Sequence, residues 1–229
     1  MAILLGKPMI GHVVERVRRC ALVTKTAVAT CDSVIKDYVC SIGGKAVMTS
    51  VGHERASDRC AEALLKIEQE EGYRFDYVVM VQGDEPMVHP DMIREALEPM
   101  IADPSVRVVN LFGEIRDSQE LEDRNCIKVV CDLYGNALYF SREPIPTRHQ
   151  QKNVACSKQI CIIPFRRDFL LEYTRLAPTP LEVAESVDMM RILEHGFKIR
   201  MVRTKFVSYA VDTPEDLIRV EHWIKNQST

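Results

Sequence analysis

Tyr77-Val78-Val79-Met80-Val81-Gln82-Gly83-Asp84-Glu85-Pro86 is the stretch whose reading decides the fold. Its first five residues form an unbroken apolar run, the pattern of a strand buried on both faces of a parallel sheet. The run stops at a polar Gln82, a flexible Gly83, two acids and Pro86, which has no amide to give a sheet ladder. Open α/β sheets bind ligands just beyond the carboxyl ends of their strands. Asp84 and Glu85 stand at such an end, where a carboxylate can hold a divalent cation against a phosphate. A charged turn after a core strand is the plainer alternative.

Strand and helix patterns alternate on both sides of this stretch. Residues 8–20 read as a helix with Ile10, Val13, Val14 and Val17 on one face. A strand over 24–30, a helix stopping at Gly43-Gly44 and a strand over 45–49 follow. A helix capped by Ser57 or Asp58 then runs to about Glu70, and Pro90 opens another after the central stretch. The middle of the chain changes character, with strand-like segments at 107–112, 127–131, 136–141 and 158–163 and a turn at Leu133-Tyr134-Gly135-Asn136. Helices return over 168–175 and 180–195, then a strand over 198–204 and a last helix over 213–226. The expectation is an α/β fold: a Rossmann-like mixed sheet with helices on both faces, in one domain spanning 1–229. An antiparallel strand and hairpin insertion over about 107–164 sits at a sheet edge, where it suits a dimer contact.

Bulk properties narrow the partners. A chain of 229 residues can bury the core of one large α/β domain. A net charge of -3 gives no global attraction for nucleic acid or an anionic membrane, so a phosphate ligand needs local charges or a metal. The sequence has no stretch of eighteen apolar residues and no signal-peptide pattern at its start, which points to a cytoplasmic protein. Its eight cysteines form no CxxC pair and read as reduced, mostly buried small hydrophobes.

Several further stretches carry chemistry-bearing residues. Ala210-Val211-Asp212-Thr213-Pro214-Glu215-Asp216 is a helix start, with Asp212 or Thr213 as cap and Pro214 in the first turn. His53-Glu54-Arg55-Ala56-Ser57-Asp58-Arg59 lies at a loop-to-helix junction, where free amides and a hydroxyl bind anions or carbonyls. Lys128 in Asn125-Cys126-Ile127-Lys128 and Arg142 in Tyr139-Phe140-Ser141-Arg142 are cations that can meet a carboxylate or phosphate, or pair with a surface acid.

Taken together, Gln82-Gly83-Asp84-Glu85-Pro86 on its strand resembles the metal-binding signature of the sugar-acid cytidylyltransferases, specifically the 3-deoxy-manno-octulosonate cytidylyltransferases. The Asp212-Thr213-Pro214 stretch resembles the family's closing motif. The resemblance implies a nucleotidyltransferase fold in which Asp84 and Asp212 together hold Mg²⁺ and carry the catalysis. It further implies that Ser57, Arg59 and Gln82 line CTP, and that Arg142, Gln159, Glu182 and Glu185 face the sugar acid. A CMP-sugar and pyrophosphate would be the products, and a homodimer the assembly. The resemblance spans essentially the whole chain but begins after the family's first strand and phosphate-binding loop. Gly6-Lys7-Pro8-Met9 matches the segment leading into the first helix, so Lys7 is not the phosphate-binding lysine. A chain shortened at its N-terminus is the expectation. Gln159 stands where the family carries His, Asp188-Met189 where it carries Glu-Gln, and Cys31 where it carries Asp. These departures keep two alternatives open: the same chemistry on an amino analogue, a neuraminate-like acid or a phosphonate, and a non-catalytic relative. A dinucleotide dehydrogenase is disfavoured, since no Gly-x-Gly-x-x-Gly follows any strand.

Overall fold

The chain opens with a hairpin that periodicity does not reveal: strands β1 (Ile3–Leu4) and β2 (Lys7–Pro8) pair antiparallel. Their two-residue turn, Leu5-Gly6, takes positive φ at both positions, as the twist of a tight hairpin requires. The structure is a computed structural model and describes residues 1–151 and 154–227, the side chain of Gln227 excepted. Residues 152 and 153, within the expected 107–164 insertion, lie outside the described residues. Contacts divide the chain into two units. One comprises residues 1–75, 81–94 and the segment from 207 onward; the other comprises 76–80 and 95–206.

In the first unit, α1 (Met9–Arg18) follows the hairpin and buries Val13 and Val14. Strand β3 (Ala27–Thr30), helix α2 (Ser33–Ser41) and strand β4 (Lys45–Met48) then make a βαβ unit whose strands pair in parallel. Asp32 caps α2, its side chain accepting the Val34 amide at 2.7 Å. The helix ends on two glycines: Gly43 N–H reaches Cys40 O and Gly44 N–H reaches Val39 O at 2.8 Å, with Gly43 left-handed at φ +68. These two bonds are those of a Schellman cap. Helix α3 (Ala56–Glu71) packs Ala63 and Ile67 on Val47 and stops at left-handed Gly72. Its N-cap is Arg55, so Ser57 lies inside the first turn, fully buried, instead of capping from outside. The C-terminal helix α9 (Pro214–Gln227) buries Val220 against Leu4 and Met87.

The second unit holds β5 (Tyr77–Val81), all but its last residue, together with the C-terminal part of α4 (Pro90–Ala102). Its larger sheet draws on β6 (Val109–Glu114), β7 (Lys128–Cys131), β8 (Ala137–Ser141), β9 (Ser157–Ile160) and β11 (Arg200–Arg203), in the order β11-β6-β9-β7-β8. The β11–β6 pair is parallel and the others antiparallel, so the sheet is mixed. The expected strand at 158–163 is two strands. Beyond Cys161 the chain becomes β10 (Ile162–Arg166), which pairs with β5 and bridges to Val108 through Phe165. The break lets one continuous segment serve two neighbours. Short helix α5 (Ser118–Glu122) follows β6, and α6 (Arg167–Tyr173) follows β10.

A second correction concerns the helix expected over 180–195. It is two helices, α7 (Pro180–Glu185) and α8 (Asp188–Glu194), broken at Ser186 with φ +52. The physical reason is a side chain. Arg142 Nε donates to Glu185 O at 2.6 Å and its NH2 to Ser186 O at 3.1 Å, taking carbonyls that a continuous helix would have used. The fold is thus the mixed α/β type expected.

The Schellman cap gives a direct test. A Cβ on Gly44 would meet the Val39 carbonyl oxygen at 2.7 Å, and that oxygen is backbone and cannot swing away. Gly44→Ala is therefore expected to lower stability by about 1–3 kcal/mol in urea denaturation. An unchanged midpoint would refute the cap's rigidity.

Candidate active site

Beyond Val81 the chain turns tightly, Glu85 N–H donating to Gln82 O at 3.3 Å and Val88 N–H to Glu85 O at 3.2 Å. The turn presents Asp84 and buries Glu85, which is 3 % exposed. The segment ahead of α9 meets it from the same unit: Val211 N–H donates to Asp84 O at 2.9 Å. This pairing brings together the two acids that lie 128 positions apart in sequence, as 212 minus 84 gives. Asp212 is near enough that its charge helps raise the Asp84 carboxyl.

The electrostatics of Asp84 are unusual. Its Oδ1 is sealed from solvent and has no hydrogen-bond partner. Burial first, then repulsion from Glu85 and Asp212, push its pKa from an ordinary 3.8 up to about 7. Helix α9 does not depend on Asp212 for its cap. Thr213 Oγ1 accepts the Asp216 amide at 3.2 Å, and Asp216 Oδ2 accepts the amides of Asp212 and Thr213 at 3.3 and 3.0 Å. That reciprocal arrangement is a capping box with Asp at the third position. A buried carboxylate oxygen without a partner, next to a second carboxylate, is a hard oxygen donor set that suits a small divalent cation. Among the described residues, no group of three or more His, Cys, Asp or Glu is arranged to hold a metal. A divalent cation held by two carboxylates would take its remaining ligands from water and phosphate oxygens.

The other expected nucleotide-side residues lie in the same unit. Arg59 NH1 donates to Thr49 Oγ1 at 2.6 Å and Ser50 O at 3.3 Å, and NH2 to His53 O at 3.4 Å. Its guanidinium thus shapes the loop between β4 and α3. Glu62 fastens the same loop by accepting the Ser50 amide at 3.0 Å and pairing with His53, and it also binds Lys66. Those contacts, Lys66 foremost, hold the Glu62 carboxyl down at about 2. Gln82 is half-buried at the turn.

Arg142, Gln159, Glu182 and Glu185 all fall in the second unit. Arg142 spends three of its five N–H groups on the carbonyls of Glu185, Arg124 and Ser186. The Glu185 carboxylate accepts from Tyr139 and Ser141 hydroxyls at 3.0 and 3.2 Å and from the Arg142 amide at 2.8 Å. Glu182 is fully buried and held by Arg191 in a two-pronged ion pair of 2.7 and 2.6 Å. It also closes the capping box of α7 with Thr179. Gln159 Nε2 donates to Asn110 Oδ1 at 2.6 Å. Lys128, read from sequence as a cation that can meet the substrate, is instead fully buried, and its ammonium donates to the carbonyls of Asp123, Cys126 and Arg142 at 2.7 Å each. Three donors meet three acceptors, so it is a structural cross-link. Met189, one of the departures, is core, with no exposed surface.

Two residues escaped the sequence reading, and Glu85, read there as a carboxylate that can hold a cation, is instead buried. Asn110, fully buried, also donates to the carbonyls of Leu111 and Ile160; a lone amide inside Val108-Val109-Asn110-Leu111-Phe112 was the available signal. The other is Ser208, whose Oγ donates to Glu85 Oε2 at 2.7 Å. The alternation Val207-Ser208-Tyr209-Ala210-Val211 ahead of Asp212 was the signal there.

Comparison with known proteins now defines the class. A family model described as cytidylyltransferase matches residues 1–199, and the chain belongs to that family. Within it, the chain is similar to the 3-deoxy-manno-octulosonate cytidylyltransferase of Geobacter metallireducens, 42% identical over 96% of this chain and 89% of that protein. The enzyme of the same name from Syntrophus aciditrophicus is 43% identical over 96% and 88%. Among solved structures, a CMP:2-keto-3-deoxy-manno-octonic acid synthetase complexed with CTP superposes with a TM-score of 0.87 at 35% identity, over 99% of this chain and 91% of that one. A 4-diphosphocytidyl-2C-methyl-D-erythritol synthase from Anaerococcus prevotii, at TM-score 0.61 and 12% identity over 97% of this chain and 91% of that one, shares the fold.

Two predictions follow from these environments. The folded chain holds the Asp84 proton more tightly than the unfolded chain, so this group's stabilising contribution is full below about pH 4 and is lost as pH rises toward 7. Asp84→Asn keeps the shape and deletes the charge. Metal-free Asp84→Asn at pH 8 is expected to exceed the parent's stability by up to about 4 kcal/mol, and by little at pH 4. Equal melting curves in chelator at pH 8 would refute this. In the second unit, Arg191→Met leaves Glu182 buried without its counter-ion, and a loss of about 3–5 kcal/mol in urea denaturation is expected. A loss under 1 kcal/mol would mean that Glu182 is not confined as described.

Proposed function

We propose that the protein is a CTP-dependent cytidylyltransferase that activates 3-deoxy-manno-octulosonate, forming its CMP derivative and pyrophosphate. The observation that carries this is the buried, partnerless oxygen of Asp84 beside Asp212, in a chain so similar to enzymes of that name. In the reaction the sugar acid's anomeric hydroxyl oxygen forms a bond to the α-phosphorus of CTP. The bond from that phosphorus to the pyrophosphate oxygen breaks, and the hydroxyl proton is released.

Asp84 and Asp212 are the residues that would hold Mg²⁺. When bound there, the ion supplies neutralisation of the charge that builds on the phosphates. The protein's own part is to keep two carboxylates adjacent and one of them dry, so that they bind a cation strongly despite repelling each other. On the nucleotide side we assign Arg59, Gln82 and Ser57, the last buried in the first turn of α3. Arg59 acts by ordering the loop over 49–53. On the sugar-acid side we assign Arg142 and Gln159. Arg142 keeps two N–H groups beyond its three backbone bonds, a pair that suits a carboxylate. Gln159 is anchored through its amide nitrogen to Asn110, which favours its oxygen as an acceptor for a sugar hydroxyl. Glu185 and Glu182 contribute to this side by holding Arg142 and Arg191.

A homodimer is part of the proposal. The β7–β8 hairpin exposes Leu133, Tyr134 and Leu138 at 101%, 80% and 60%, an apolar tip that suits burial against a second copy. A cytoplasmic location follows from the substrate, since CTP is made and kept inside the cell. None of the described helices is long and apolar enough to cross a membrane.

Pyrophosphate release from CTP, Mg²⁺ and 3-deoxy-manno-octulosonate tests the reading. The parent is expected to be active, and Asp84→Ala to lower kcat by roughly 10²–10³-fold. An inactive parent would overturn the substrate assignment, and an Asp84→Ala protein working at the parental rate would overturn the metal assignment.

A further inference from the structure

Residues 207–212 belong to no helix or strand, yet they carry Asp212 to its place. Their side chains alternate. Val207, Tyr209 and Val211 pack on the cluster of Leu4, Met87 and Val220, while Ser208 and Asp212 belong to the other set. Ser208 is 3 % exposed and Glu85 likewise 3 %, and the hydrogen bond between them at 2.7 Å ties positions 123 apart. Four residues further on, Asp212 approaches Asp84, the neighbour of Glu85, and the Val211 amide bonds the Asp84 carbonyl. Beyond Asp212 the segment is braced again. The Arg219 guanidinium lies 4.6 Å from the Tyr209 ring centroid and donates to Asp216 Oδ1 at 2.9 Å, while Asp216 is bonded to Thr213.

We propose that Ser208 and Glu85 are positioning residues for the Asp84–Asp212 pair: their buried hydrogen bond sets the spacing at which the two carboxylates take up a divalent cation. The inference rests on the metal reading above. Its chemistry is that of an outer ligand shell. Two like charges relax apart unless the backbones carrying them are pinned, and a hydroxyl-to-carboxylate bond out of water is a strong pin. Glu85 acts here as acceptor, not as a ligand. Its carboxylate is turned to Ser208, and an amide oxygen in its place would accept the same bond.

Mn²⁺ alone, titrated against the metal-free full chain and read by electron paramagnetic resonance of the free ion, is the test. Ser208→Ala is expected to raise the dissociation constant about 10–100-fold. Ser208→Cys, a weaker donor of similar volume, should fall between Ala and the parent. Glu85→Ala, which removes the acceptor, should weaken binding to a similar degree as Ser208→Ala. Thermal melting without metal accompanies each variant: a purely structural role would lower the melting temperature and leave Mn²⁺ affinity unmoved, which would overturn the proposal. Glu85→Ala binding like the parent would also overturn it, because the acceptor would then be dispensable. Asp84→Asn separates the two readings. If it abolishes binding while Ser208→Ala does not weaken it, only the positioning role falls. If Asp84→Asn binds like the parent, the metal reading falls and the positioning role with it.

Discussion

The amide of Val211 donating to the carbonyl of Asp84 is the bond on which the candidate site depends. It joins the turn after β5 to the irregular segment ahead of the last helix, and so brings together two acids 128 positions apart in sequence. The Asp84 carboxylate does not favour that approach. Burial takes its hydration, and the charges of Glu85 and Asp212 make it harder to ionise. The proximity is held by groups other than the acids: apolar residues on Leu4, Met87 and Val220, the Ser208–Glu85 bond, and a helix cap built from Thr213 and Asp216. A pairing of acids that is unfavourable alone is thus kept by surroundings that are favourable.

The second unit uses buried charge differently. Lys128 saturates three carbonyls, Arg142 takes three more, and Glu182 is closed by Arg191. Each ion is compensated where it is buried, which avoids the penalty of a lone charge in a poor dielectric. The carbonyls captured by Arg142 also break what would otherwise be one helix at Ser186, so a side chain decides a backbone boundary. Lys128, Glu182 and much of Arg142 are therefore spent on shape, with Asp84 in the first unit the contrasting case of a carboxyl left unspent.

Much of the fold was legible in the sequence because strand and helix are set by neighbours two to four residues away. The apolar run at 77–81, the Gly43-Gly44 stop and Pro214 at a helix start are each local devices, and each appears where its residues ask for it. The misjudged features involve partners far along the chain. The division of 157–166 at Cys161 depends on which strands lie alongside, and the split of 180–195 depends on Arg142. The N-terminal hairpin was hidden because its strands are two residues each, too short to show a period.

The candidate site divides in the same way. Sequence alone determined that Asp84 and Asp212 stand at a strand end and a helix start, since motif chemistry and local pattern need only adjacent residues. Tertiary structure decided what the remaining polar residues do. Lys128, Glu182 and Arg142 look like ligand-binding charges when read in a line, and only their packing shows which N–H and oxygen atoms are already taken. Ser208 looks unremarkable in a line, yet it meets Glu85 across 123 positions. A hydrogen bond saturates within about 3 Å and carries no trace of sequence separation, so the use of a polar atom is settled by the fold and not by its neighbours.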